Sequence, residues 1–154
     1  MILPDPRLVE QVQRHEGLRL EAYLCPAGKI TIGYGHNLQA NPVPGIPAIV
    51  GTKITQDQAQ RLLVADLMET QRKVLERFPW AADLDPARLA VLVNMAFNLG
   101  IVGLAAFSRT LAHVAAGQYA EASTEMLASL WAKQVGNRAK ELSRQMRTGE
   151  WAEG

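Results

Sequence analysis

An α+β fold that is mostly α is predicted by three features of the sequence. Residues 20–36 alternate apolar and polar positions around Ile30, Ile32 and Tyr34, the period of a half-buried strand pair. Asp5-Pro6 and Asp85-Pro86 each stand just before apolar residues at helical spacing. Aspartate can cap a helix there, and proline at the first helical position loses no needed hydrogen bond. From Thr55 onward, helical periodicity runs almost to the end of the chain.

The elements follow in order. Asp5 and Pro6 open a short helix whose Leu8, Val9 and Val12 share a face, and Gly17 closes it in a left-handed conformation. Pro26, Ala27 and Gly28 interrupt the alternating stretch as a hairpin turn. From Asn41 to Thr52, three prolines and two glycines predict an irregular loop. Thr55 and Gln58 form a capping box that opens a helix to about Arg77, with Ala59, Leu62, Leu63, Leu67, Val74 and Leu75 on its buried side. After Pro79, Leu89, Leu92, Val93, Ala96 and Phe97 mark an apolar helix ending at Gly100. Ser108 is read as the cap of a helix ending near Gly117, with two more at 119–130 and 138–147. The expected organisation is a single domain, 1–154. It comprises a β-containing lobe (17–54), a connecting helix (55–77) and a helical lobe (1–16 and 78–154).

Composition narrows the function. With 154 residues, 48% of them hydrophobic, the chain is long enough for a packed core and too apolar for disorder. A formal net charge of +1 offers no basic stripe for nucleic acid. One cysteine cannot make an internal disulfide. The start, MILPDPRLVE, lacks a basic segment followed by an apolar run, so no secretory signal is expected. No uninterrupted apolar run approaches the roughly 18 residues of a membrane span, so none is expected. His15 and His113 lack metal-ligand spacing, and neither a metal nor a cofactor is expected.

Several residues could carry chemistry. Glu16, in the last turn of the first helix, faces the negative end of the helix dipole, which favours a protonated carboxyl suited to a general acid; a solvated helix-end glutamate is the bland alternative. Cys25 and Thr31 flank the hairpin turn on roughly facing positions, where a thiol and a hydroxyl could hold a water; a buried thiol and a strand-favouring threonine would look the same. His36 could pair with Cys25 as base and nucleophile, but such a cysteine usually sits at a helix N-terminus, and Pro26 follows this one.

Taken together, HEGLRLEAYLCPAGKITIGYGH (15–36) resembles the catalytic segment of the bacteriophage T4-type lysozymes, glycoside hydrolase family 24. The family pattern of Glu, eight residues, Asp or Cys, five residues, Thr is met by Glu16, Cys25 and Thr31, followed by Thr-Ile-Gly-x-Gly-His at 31–36. The resemblance continues through ITQDQAQRLLVADL, NMAFNLG and NRAKELSRQMRTGEW, and so covers nearly the whole chain.

The resemblance implies a peptidoglycan strand bound in a cleft between the two lobes. Glu16 would protonate the glycosidic oxygen between N-acetylmuramic acid and N-acetylglucosamine. Cys25 would stand where many relatives carry a second carboxylate, and Thr31 would hold the attacking water. The reaction would be inverting, with about 6.5–9.5 Å between acid and base. Arg138 would pair with Glu16, and His36 with Asp66 as a structural support. Gly35, Phe97, Asn98 and Thr110 would contact substrate. Asn37, Glu125, Leu130 and the proline-rich loop depart from the best-known members. Without a signal or anchor, a host-lysis enzyme of this kind would be held in the host cytoplasm until a holin or similar pore releases it to the wall, and a monomer is the default expectation; a virion-associated module or a part of a longer protein are the other readings. A lytic transglycosylase and an inactive wall-binding module are the competing functions.

Overall fold

The structure, a computed structural model, describes residues 2–152. Met1, Glu153 and Gly154, the outermost residues of the predicted helical lobe, lie outside them. The chain falls into two compact units, Met1–Met68 and Glu69–Gly154.

The first unit opens with helix α1 (Pro6–Glu16). The Asp5 carboxylate accepts from the Arg7 backbone N–H at 2.9 Å, and Leu8, Val9 and Val12 are buried. The helix stops at Gly17, but with φ 71° and ψ 163° rather than in the left-handed α conformation expected. That extended, glycine-only region suits a chain passing straight into a strand.

Strands β1 (Arg19–Leu24), β2 (Ile30–Gly33) and β3 (His36–Asn37) form an antiparallel sheet in the order β1-β2-β3. The hairpin between β1 and β2 is closed by Cys25 N–H to the Lys29 carbonyl at 2.9 Å and Gly28 N–H to the Cys25 carbonyl at 2.8 Å. Its three loop residues run from Pro26 to Gly28, whose φ of 76° is the left-handed position that such a loop requires. The third strand was not expected from the sequence, because two residues are too few to show alternation. Its ladder is extended by the Gln39 side chain, which accepts from the Ile30 N–H at 2.8 Å.

The proline-rich segment is irregular, yet its end runs beside β1. Ala22 N–H donates to the Thr52 carbonyl at 2.7 Å, Gly51 N–H to the Ala22 carbonyl at 2.9 Å, and Ile54 N–H to the Leu20 carbonyl at 2.9 Å. Helix α2 (Gln56–Arg77) then starts on a complete capping box. Thr55 N–H donates to Gln58 Oε1 at 2.8 Å, and Gln58 N–H to Thr55 Oγ1 at 3.1 Å. Such a cap contributes about 1 kcal/mol. Ala59, Leu63, Leu67 and Val74 are its buried stripe.

The second unit continues through a 3-10 turn (Pro79–Asp83) to helix α3 (Pro86–Ala105), capped by Asp85 accepting from the Arg88 N–H at 3.1 Å. The expected end at Gly100 is a break: Gly100 has φ 79° and ψ 162°, after which helical turns resume to Ala105. By length and composition α3 could cross a membrane, but half of its apolar window is buried inside the protein. The run from Ala90 to Ala96 is buried throughout, with Asn94 in it, as in the core helix of a folded domain.

Helix α4 (Ser108–Ala115) does not use Ser108 as its cap. Phe107 holds that position without any side-chain bond, and Ser108 is already helical. Helices α5 (Tyr119–Leu127), α6 (Leu130–Val135) and α7 (Asn137–Thr148) complete the unit. The six residues of α6 are too short for a periodic signal. Its local mark is Ser129, whose hydroxyl accepts from the Ala132 N–H at 3.2 Å. Helix α5 packs on α4 and α7, and α3 on α7. Arg88 ties α3 to the end of α7: Nε donates to the Met146 carbonyl at 2.7 Å and Nη2 to the Arg147 carbonyl at 3.0 Å. The same guanidinium lies 3.7 Å from the centre of the Tyr119 ring.

Candidate active site

The sheet sorts its side chains onto two faces. Directly paired antiparallel residues share a face, so Tyr23, Thr31 and Asn37 form one cross-strand row, while Ile32 and His36 face the other way. Cys25, one residue beyond β1, is diagonal to Thr31; Tyr23 takes the position squarely opposite. Thr31, flanked by Tyr23 and Asn37, is 6% exposed. Its hydroxyl donates to the Lys29 carbonyl at 3.0 Å, the same oxygen that closes the hairpin.

The Cys25 thiol is half-exposed and its pKa lies below the ordinary thiol value. The backbone N–H of Lys29 is the main cause and the Thr31 hydroxyl the second, with desolvation opposing both. Thr31 has a single hydroxyl proton. While that proton is on the Lys29 carbonyl, it cannot also serve the sulfur, which leaves the Lys29 N–H as the steady support of a thiolate.

Glu16, the last residue of α1, is half-buried. The β2–β3 turn brings Gly35 against it: a Cβ built on Gly35 would lie 3.0 Å from Glu16 Oε1. Gly35 has φ 80°, so both its backbone and its surroundings call for glycine.

On the opposite face, buried His36 meets Asp66 of α2 at 2.7 Å through Nδ1 and the Asn41 carbonyl at 2.8 Å through Nε2. Both partners are acceptors, which favours an imidazole protonated on both nitrogens. Burial pushes its pKa down, but the bond to Asp66, its charge and the Asn41 carbonyl outweigh that, and the net shift is upward. With both nitrogens engaged and the ring on the far face, His36 is not available to Cys25 as a base.

In the second unit, Arg138 stands at the start of α7 and grips Asn94 of α3, with Nε at 3.1 Å and Nη2 at 2.8 Å from the same Oδ1. Asn98 is exposed, and its Oδ1 accepts from the Trp131 indole N–H at 2.7 Å. Trp131 in turn stacks edge-on against Phe107, with centroids 6.0 Å apart. Phe97 is half-buried. Thr110 is 2% exposed, yet lines a cavity of about 340 Å³ together with Phe107, Arg109, Glu125, Leu130 and Trp131. Among the described residues, no group of three or more His, Cys, Asp or Glu could hold a metal ion.

Sequence reasoning missed Lys29, Asn94 and Trp131. Lys29 acts through its backbone, which no side-chain pattern signals. Asn94 had a signal: it is a lone amide inside the most apolar run of the chain.

The residues that place Glu16, Cys25 and Thr31 around one small sheet fall within a longer similarity. Residues 13–149 match the phage lysozyme family. The chain belongs to that family. It is 34% identical, over 82% of its length and 80% of the relative's, to an endolysin of Acyrthosiphon pisum secondary endosymbiont phage 1. It is 26% identical to "Probable T4-type lysozyme 1" of Dictyostelium discoideum, over 91% of its own length and 93% of that protein. It is also 32% identical over 95% of its length to the pre-baseplate central spike protein of Enterobacteria phage T4, of which the match spans 28%. Membership of the phage lysozyme family gives the chain a lysozyme role, that of a glycoside hydrolase with peptidoglycan as substrate.

Proposed function

We propose that this phage lysozyme hydrolyses the β-1,4 bond between N-acetylmuramic acid and N-acetylglucosamine, with inversion and with Glu16 as general acid. The observation that carries the reading is the placement of the Glu16 carboxylate against Gly35, on the turn that follows the strand bearing Thr31. Glu16 protonates the leaving oxygen. Thr31, its proton held by the Lys29 carbonyl, offers lone pairs to a proton of the attacking water and so orients it. Cys25, with its lowered pKa, supplies thiolate to assist that water as base.

His36 and Asp66 hold the loop after β3 to α2 as a structural support. Arg138 orients the acid, and Asn94 fixes the planar guanidinium that does so. Gly35, Phe97, Asn98 and Thr110 contribute to substrate binding, Thr110 from the wall of its cavity. The enzyme acts as a monomeric endolysin in lysis of the bacterial host, reaching the wall from the cytoplasm through a holin. Its similarity to part of a spike protein keeps a virion-borne module as the second role.

The test is digestion of purified Gram-negative peptidoglycan, borohydride reduction of the products, and mass spectrometry. Reduced muramic acid ends that vanish in Glu16→Gln are expected. Anhydromuramic ends would replace hydrolysis by transglycosylation, and absence of cleavage would leave a wall-binding module.

A further inference from the structure

The turn between β2 and β3 contains one side chain to which no role has been given. Gly33 and Gly35, with φ of 68° and 80°, have no side chains to anchor the turn, and glycine leaves the backbone more freedom than any other residue. Tyr34, between them, is 7% exposed. Its phenolic oxygen accepts from Gln13 Nε2 of α1 at 3.4 Å, and the same nitrogen donates to Gln60 Oε1 of α2 at 3.1 Å. Both N–H groups of that amide are therefore used, and the three side chains link the turn to two helices.

The linkage lands beside the acid. Gln13 and Glu16 are three residues apart on α1 and so neighbours on its surface. The turn meets α1 at two successive points, Tyr34 at Gln13 and the Gly35 backbone at Glu16. It also rests on α2, where a Cβ built on Gly33 would lie 3.6 Å from the Ala59 Cβ, one residue before Gln60. Of residues 33–35, only Tyr34 has a side chain through which the turn can be held against α1.

We propose that Tyr34, through Gln13, is a positioning residue for the general acid: it holds the β2–β3 turn on α1 so that the Gly35 backbone seats the Glu16 carboxylate. This rests on the reading of Glu16 as the acid. Tyr34 touches neither substrate nor the reacting atoms. A tyrosine that served the core alone would contribute to stability and leave turnover unchanged. This one bears on turnover, because its partner lies one helical turn from Glu16 and the residue after it lies against the carboxylate.

The experiment measures steady-state release of reducing ends from soluble, uncrosslinked glycan strands at 25 °C, with the Tm of each protein. The proteins are the wild type, Tyr34→Phe, Gln13→Leu, Gly35→Ala and the Tyr34→Phe/Gly35→Ala double variant. Tyr34→Phe keeps the ring and removes the phenolic oxygen. A shift of a few tenths of an ångström, at about 100-fold per ångström, should lower kcat about 3-fold with KM unchanged. In the Gly35→Ala background the seat is already disturbed, so the same substitution should change kcat by less than about 1.5-fold, because effects that pass through one contact are not additive. If Tyr34→Phe fails to fold, Gln13→Leu, which removes the same bond from the helix side, carries the measurement. A lowered Tm with wild-type kcat overturns the proposal, as does a rise in KM alone or an equal fall in kcat in both backgrounds. Wild-type protein that releases no reducing ends, or Glu16→Gln with full activity, would instead remove the reading on which the proposal rests.

Discussion

The Gly35 backbone lies close against the Glu16 carboxylate: the Cβ of an alanine at 35 would stand 3.0 Å from Oε1, and the carboxylate would have to give way by a few tenths of an ångström. Helix α1 ends at Glu16 and the β2–β3 turn passes Gly35 across its face.

Gly35→Ala should accordingly harm activity more than stability. The positive φ of 80° costs a non-glycine residue about 1–2 kcal/mol, and the added methyl displaces the carboxylate. A misplacement of about 1 Å can lower turnover about 100-fold, so a shift of a few tenths should lower it roughly 3- to 10-fold. Gly17→Ala provides the comparison, since Gly17 also has positive φ but open space around its Cβ position. Turnover and Tm of both variants check this; equal turnover in the two would mean that the contact with Glu16 is unimportant.

The His36–Asp66 pair should make stability depend on pH with a defined sign. The folded-state pKa of His36 is raised. Its stabilisation is thus fully present below the unfolded value of about 6.5 and is lost as pH rises through the folded value. Asp66 is partly exposed, so removing the imidazole should cost about 2–4 kcal/mol where the pair is charged. Thermal unfolding of the wild type and His36→Asn from pH 5.5 to 9.5 should show a gap in Tm that narrows at the alkaline end. A gap that widens with pH would contradict a cationic His36.

Cys25 should give the reaction an alkaline dependence. Its thiol pKa is lowered, chiefly by the Lys29 N–H, so the thiolate fraction climbs at a lower pH than for an ordinary thiol. If thiolate assists the water, kcat should rise over that range and flatten once the thiol is ionised. Iodoacetamide should abolish activity in proportion to modification. Full activity after complete alkylation would reduce Cys25 to a spectator.

Arg88 should prove important for stability without touching the proposed chemistry. It joins two carbonyls at the end of α7 to the Asp85 cap and the Tyr119 ring. Arg88→Ala leaves those carbonyls without their donor and should cost about 2–3 kcal/mol, which for a chain of this size lowers Tm by roughly 4–12 °C. Gly149→Ala should share the effect, since its Cβ would meet Nη1 at 2.8 Å. Calorimetry of the two variants, with turnover measured at 25 °C, tests both halves of the claim.

Much of the helical framework was legible because its signals are local. The Asp5 and Asp85 caps, and the reciprocal bonds of Thr55 and Gln58, act within four residues of the sequence pattern that announces them. What escaped was either too short or not local. Strand β3 and helix α6 hold two and six residues, below the length at which periodicity is visible. Gly100 looked like an end because glycine leaves helical geometry, but the apolar residues after it form further turns before Ala105.

For the site, the spacing of Glu16, Cys25 and Thr31 was readable, but the means of holding them was not. The Lys29 peptide group, which binds the Thr31 hydroxyl through its carbonyl, has no signature in a list of side chains. The grip of Asn94 on Arg138 spans 44 positions, a distance over which sequence pattern gives no partner.

The segment that lies along β1 has a consequence for how these molecules behave in a crowd. Strand β1 is an outer strand of the sheet, and a bare outer strand invites another chain to add to it. Here Thr52, Gly51 and Ile54 already occupy that side, within and just after a stretch whose Pro42, Pro44 and Pro47 have no N–H to offer a newcomer. With those backbone groups engaged, another chain cannot pair with β1 from that side. The irregular loop thus acts as a guard against polymerisation.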